Sequence, residues 1–207
     1  MRAAAELQRE LVPHGDSLVG AGLTSLAPAD VLPYVQQRLD EIAALPADDP
    51  RAFEPGAADR LEAALPSIAA AVEEVASLGL PLTLNHNDLH THNVFEVDGR
   101  MRFFDFGDAM LTEPIGALRV PLGGMAQRLE VAMDDPRLLR AVEPALEVWS
   151  DLVPLAELRA ALPSALRLGR LARCESWLRC FPSMTDEELG EFGEAAAYWL
   201  SEVASPA

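Results

Sequence analysis

Apolar residues recur along most of the chain at helical spacing. The clearest run is Leu61, Leu65, Ile68, Val72 and Val75, which lays one apolar stripe along a helix, with Gly79 placed to cap its C-terminal end. Upstream, "RAAAELQRELVPHGDSLVGAGL" sets Leu7, Leu11 and Leu18 among alanines, with a break at Pro13 and a lone surface histidine, His14. "PADVLPYVQQRLDEIAAL" reads as a second helix, followed by the Pro/Asp-rich link "PADDPRAFEPGA". From residue 112 onward four further helical stretches follow: "EPIGALRVPLGGMAQRLEVAM", "PRLLRAVEPALEVWSDLV", "PLAELRAALPSALRLGRLARCESWLRCF" and "TDEELGEFGEAAAYWLSEVA". The last opens with Thr185 and Glu188 in capping-box order, and Trp149, Trp177 and Trp199 read as helix-packing residues.

Between residues 81 and 110 the period changes from helical to alternating. "LPLTL" is a short strand, "NHNDLHTH" a loop, and "NVFEVDGRMRFFDF" a hairpin turning on Asp98-Gly99. A two-residue turn pairs Val97 with Arg100 and sets Asn93 opposite Phe104, whereas a three-residue turn sets Asn93 opposite Asp105. Either register brings Asn93 and Asp105 to the same open end. The pattern therefore predicts a mainly α chain with a small β-hairpin or sheet, in three parts: helical 1–80, a loop and hairpin over 81–110, and helical 111–207.

At 207 residues, half of them apolar, the chain can form one domain or one large lobe of a two-lobe protein. No apolar run is long enough for a membrane helix, and the first residues lack a signal peptide's apolar core. Cys174 and Cys180 fall on different faces of one helical segment, which predicts free core thiols and a cytoplasmic setting. The net charge of −17 argues against a nucleic-acid partner. It reads first as a solubilising surface, although it would also suit a cationic substrate. All 16 basic residues are arginine; the chain has no lysine.

Three of the four histidines lie in "NHNDLHTHN", residues 85 to 93, and two chemistries compete for them. Asp88-Leu-His90-Thr-His92 could be the metal-binding strand of a barrel hydrolase, with both imidazoles on one side of a sheet. That site needs further histidines and a scaffold of about 250 residues, yet no histidine follows His92. His90 and His92 then read as loop residues bonded to backbone. Alternatively, His86-Asn87-Asp88 followed by Asn93 has the spacing of a kinase catalytic loop, and Asp105-Phe106-Gly107 ends the next hairpin arm. Phosphoryl transfer needs a carboxylate near the attacking hydroxyl and oxygen ligands for Mg²⁺. The His-Asp-Asn spacing alone arises by chance in about one chain in a hundred at ordinary residue frequencies, and a correctly placed Asp-Phe-Gly makes coincidence far rarer.

At these residues the chain resembles the aminoglycoside phosphotransferase family, kinase-like enzymes that phosphorylate hydroxyls of small molecules. "HNDLHTHNVF" and "DGRMRFFDFGDA" carry the likeness closely, and "LQRELVPHGDSLVGAGL" more loosely. The resemblance implies a protein-kinase-like C-terminal lobe in which Asp88 is the catalytic base, His86 buttresses the loop, and Asn93 and Asp105 hold Mg²⁺ and ATP. Asp108 matches a position that is often acidic in the family. An acidic residue often follows the family's Pro by a few positions, where "EPIGAL" has Gly116 and Ala117, so support of the loop should differ. The family's β-rich first lobe, its Gly-rich loop and its lysine find no counterpart here. The expectation is therefore a C-terminal lobe alone, with reduced or no activity by itself. A non-catalytic kinase-like binding or scaffold protein is the competing reading, and the metal-dependent hydrolase a third. The acceptor would be a small hydroxyl compound bound against the acidic helices after residue 112.

Overall fold

The computed structural model describes residues 1–206. Its helices are α1 (Arg2–Leu11), α2 (Gly15–Gly20), α3 (Val31–Ala43), α4 (Ala57–Ser77), α5 (Arg119–Leu129), α6 (Pro136–Leu146), α7 (Leu155–Leu168), α8 (Arg170–Cys180), α9 (Asp186–Phe192) and α10 (Ala195–Glu202). Between α4 and α5 lie four short strands, β1 (Thr83–Asn85), β2 (Val94–Val97), β3 (Arg100–Phe103) and β4 (Met110–Thr112). The mainly helical reading with a small β element holds.

Helix α4 forms as its spacing predicts, burying Leu61, Ile68, Val72 and Val75 and packing against α3, α7 and α10. Pro66 sits on its exposed side, so the missing N–H falls on a solvent-facing turn. Gly79 takes a left-handed φ of 61°, and its N–H bonds to the Ala76 carbonyl at 3.1 Å. The capping box of α9 closes in both directions between Thr185 and Glu188. The long stretch from Leu155 to Cys180 is interrupted at Gly169 into α7 and α8, and the last helical stretch divides into α9 and α10.

The strands form two antiparallel pairs rather than one sheet. β2 and β3 pair Val97 with Arg100 and Val94 with Phe103, so the hairpin has the two-residue turn. Asp98 and Gly99 have φ of 51° and 72°, the positive pair that a type I′ turn needs. β1 pairs with β4, Asn85 opposite Met110, closing the base of the loop between them. The strand β4 was not foreseen, because three residues are too few to show a period.

A buried polar network fixes α1 on this second sheet. Gln8 donates to the Asn85 side-chain oxygen and to the Pro114 carbonyl, the latter at 3.2 Å. Asn85 in turn donates to the Glu113 carbonyl at 2.6 Å, and Thr83 donates to the Gln8 carbonyl at 2.5 Å. These bonds pair Gln8, Thr83 and Asn85 and hold the segment after β1 to the helical body.

Candidate active site

The segment from His86 to Asn93 leaves β1, turns beneath the hairpin and enters β2. His86 is 8 % exposed and joins both ends of this arrangement. Its Nε2 donates to the Phe104 carbonyl at 2.8 Å, which leaves Nδ1 to accept the Asp88 backbone N–H at 3.3 Å. The ring also packs against Phe106, with centroids 4.7 Å apart. His86 is thus a buttress between the loop and the far arm of the hairpin.

Asp88 uses its two carboxylate oxygens differently. Oδ2 accepts from the Asn93 amide at 3.2 Å and lies 3.1 Å from His90 Nε2. Oδ1 accepts from Arg173 at 3.0 Å, and the same guanidinium nitrogen reaches Asp108 at 2.8 Å. The Asn93 amide nitrogen also donates to the Asp88 carbonyl at 2.9 Å, which leaves Asn93 Oδ1 free. Asp105 stands one residue beyond Phe104, the residue whose N–H bonds to the Asn93 carbonyl. Its exposed carboxylate makes no hydrogen bond among the described residues. Asn93 and Asp105 therefore lie at the same end of the hairpin and offer a neutral and an anionic oxygen, donor types suited to Mg²⁺. Asn87 and Asp105 both take left-handed φ, 59° and 60°, two of four such non-glycine residues among those described.

The remaining histidines are placed less symmetrically than their spacing suggests. His90 Nδ1 accepts the His92 N–H at 3.1 Å and its Nε2 faces Asp88, so both nitrogens are engaged. The His92 ring lies edge-on to that of His90. Among the described residues no group of three or more His, Cys, Asp or Glu converges as a metal site, and the Asp-x-His-x-His reading finds no ligand shell. Of the ring-to-backbone bonds expected of His90 and His92, that of His90 alone is present among the described residues, and the contact of His90 with Asp88 is additional. Cys174 is buried as expected, where burial pushes its thiol up to about 12, whereas Cys180 is exposed.

Beyond β4, Glu113 ties down the turn that carries Ile115 and Gly116. Its buried carboxylate accepts the N–H groups of Ile115 at 2.8 Å and Gly116 at 2.6 Å. Burial raises its pKa to about 7, against the opposing pull of those two hydrogen bonds.

The sequence pattern did not reveal an open cavity of about 220 Å³ beside Asp88, lined by Arg119, Gly123, Gly124, Arg173 and Trp199. Asp88 is its one acidic lining residue. Arg173 sits 85 residues beyond Asp88, on α8, and no local spacing could have announced the contact.

The model of the phosphotransferase enzyme family matches residues 6–115, just over half the chain. The chain belongs to this family. The matched segment starts in α1, includes the His86–Asn93 loop and the hairpin, and ends after β4, so the family resemblance carried by "HNDLHTHNVF" holds. It follows that the protein is of the kinase-like phosphotransferase type. Arg119, Arg173 and Trp199 lie outside the matched residues. No curated protein matches the chain at a significant level. No helix among the described residues is long and apolar enough to cross a membrane.

Proposed function

We propose that the chain carries the transfer machinery of an ATP- and Mg²⁺-dependent kinase for a small hydroxyl compound. The observation that supports it is the pairing of Asp88 with Asn93, on a loop that His86 ties to the hairpin arm ending in Asp105. In this reading Asp88 takes the proton of the acceptor hydroxyl. The hydroxyl oxygen bonds to the γ-phosphorus as that atom's bond to the β,γ-bridging oxygen breaks, and nucleoside diphosphate leaves. Asn93 and Asp105 would hold Mg²⁺, which when bound neutralises phosphate charge. Arg173 positions Asp88 from the other side. The stacked Phe95 and Phe104, both exposed, give the hairpin an apolar face that a β-rich first lobe would cover. A cytoplasmic setting suits both an ATP-dependent reaction and the free thiols.

The test is ADP release by the full-length protein across a set of hydroxyl compounds, repeated with Asp88→Asn. The variant is expected to lose at least about 100-fold in kcat, as removal of a general base does, with nucleotide affinity little changed. Unchanged turnover would remove Asp88 from the base role. A second reading is a non-catalytic kinase-like binding protein, since these 207 residues contain no lysine to pair with nucleotide phosphates. That reading predicts no Mg²⁺-dependent transfer to any acceptor.

A further inference from the structure

The cavity beside Asp88 differs in charge from the rest of the molecule. The chain carries a net charge of −17, yet the charged side chains lining this cavity are two guanidinium groups and one carboxylate. Arg173 is already committed to Asp88 and Asp108. Arg119 is not committed. No carboxylate among the described residues lies within ion-pair distance of it, its Nε has no partner, and Nη1 reaches only the Met133 sulfur at 3.4 Å. Glu202 attracts it from longer range, while the guanidinium of Arg170 repels it. A half-buried guanidinium without a counter-charge is costly to keep in the folded chain, and an arriving anion would relieve it.

The walls of the cavity support occupation by a ligand. Gly123 and Gly124 stand consecutively inside α5, where each is disfavoured by roughly 1 kcal/mol relative to alanine. A Cβ at Gly124 would meet nothing within 4 Å, so packing does not require the glycine. The pair does keep this wall free of side chains. Trp199 contributes an indole wall from α10. The cavity also lies on the acceptor side of Asp88. Asn93 and His90 approach Oδ2 and do not line it, whereas Arg173 approaches Oδ1 and does.

We propose that this cavity is the acceptor site, and that it takes a hydroxyl compound bearing an anionic group, a hydroxy acid, anchored by Arg119. The guanidinium fork matches a planar carboxylate, Trp199 covers the carbon skeleton, and the hydroxyl faces Asp88. The assignment rests on the kinase reading above and narrows its acceptor from any small hydroxyl compound to an anionic one.

Calorimetric titration of the full-length protein tests it with hydroxy acids (glycerate, gluconate, quinate), neutral polyols (glycerol, myo-inositol), cationic alcohols (choline, kanamycin) and ATP–Mg²⁺. At least one hydroxy acid should bind tenfold or more tightly than every neutral or cationic compound. Arg119→Gln should weaken that binding at least tenfold and leave ATP–Mg²⁺ affinity unchanged, and Arg119→Lys should restore part of it. Tighter binding of choline or kanamycin overturns the proposal, as does the absence of hydroxy-acid binding or its indifference to Arg119→Gln. If Arg119→Gln weakens ATP–Mg²⁺ instead, the arginine serves nucleotide phosphates, and the acceptor assignment falls. The two readings fail separately: Arg119-dependent binding without any transfer counts against the kinase alone. Transfer to choline or kanamycin upholds the kinase and sinks the hydroxy-acid site.

Discussion

At the scale of single residues, Glu113 makes the stability of the turn after β4 pH-dependent. Its carboxylate is sealed from water and accepts the N–H groups of Ile115 and Gly116. Burial raises its pKa from the ordinary 4.5 to about 7. Below pH 4.5 both folded and unfolded chains hold the proton, and burial exacts no charge penalty. As pH rises from there to 7, the unfolded chain ionises first, so stability falls across this window and levels off above it. The full loss is about 3 kcal/mol at most, from a shift of this size. Urea denaturation at pH 5, 6, 7 and 8 should show the wild-type chain losing stability relative to Glu113→Gln. A constant difference between the two chains would show that Glu113 titrates normally. Asp49 and Asp135 are shifted the opposite way, to about 2, by Arg51 and Arg137, and act only in stronger acid. The sequence showed that an acid was missing after the proline of "EPIGAL". The burial of the acid before that proline depends on how α7 and α8 pass over it, which no local pattern encodes.

At the scale of elements, the placement of α8 decides where Arg173 stands. The chain turns from α7 into α8 at Gly169, which lies against the backbone of Gly116, so that a Cβ there would collide with the Gly116 carbonyl oxygen. The φ of Gly169 is −58°, so close approach rather than left-handed backbone requires the glycine. Gly169→Ala should cost about 1–3 kcal/mol as overpacking, and it should also lower kcat by moving Arg173 away from Asp88. Gly190→Ala, in α9 where nothing lies within 4 Å, is the control and should be neutral or slightly stabilising. Urea midpoints and ADP release read both effects; equal midpoints for the two variants would refute the contact. Elements whose cause is local were legible in the sequence: the stripe of α4, the Thr185 capping box, and the position of the Asp98-Gly99 turn, whose two-residue form the structure decides. The interruption at Gly169 and the strand β4 have tertiary causes, the approach of Gly116 in one case and pairing with β1 in the other.

At the scale of the whole molecule, the two sides of the candidate site differ in how they are encoded. The proposed nucleotide side is built from residues 86 to 105, close in sequence and readable as one motif. The proposed acceptor side is assembled by α5, α8 and α10, and its geometry depends on how α10 is held. Arg170, on α8 and 5 % exposed, donates to the carbonyls of Glu202 at 2.5 Å, Ser205 at 2.6 Å and Pro206 at 3.0 Å. Arg167 donates to the carbonyls of Val203 at 2.7 Å and Ala204 at 3.2 Å. These arginines tie down the segment that follows α10, the helix that carries Trp199 into the cavity. Arg170→Met keeps much of the side-chain volume but removes three charge-assisted bonds. The expected loss is about 2–3 kcal/mol, because hydrogen bonds from charged donors are worth more than neutral ones and their acceptors are left behind. Limited proteolysis should then cut near residues 201–206 sooner than in the wild-type chain. Because α10 forms one wall of the proposed acceptor cavity, the variant should bind an anionic hydroxyl compound more weakly while ATP–Mg²⁺ affinity stays the same. Loss of nucleotide affinity instead would mean that α10 braces the catalytic loop, and that the two sides of the site are not held separately.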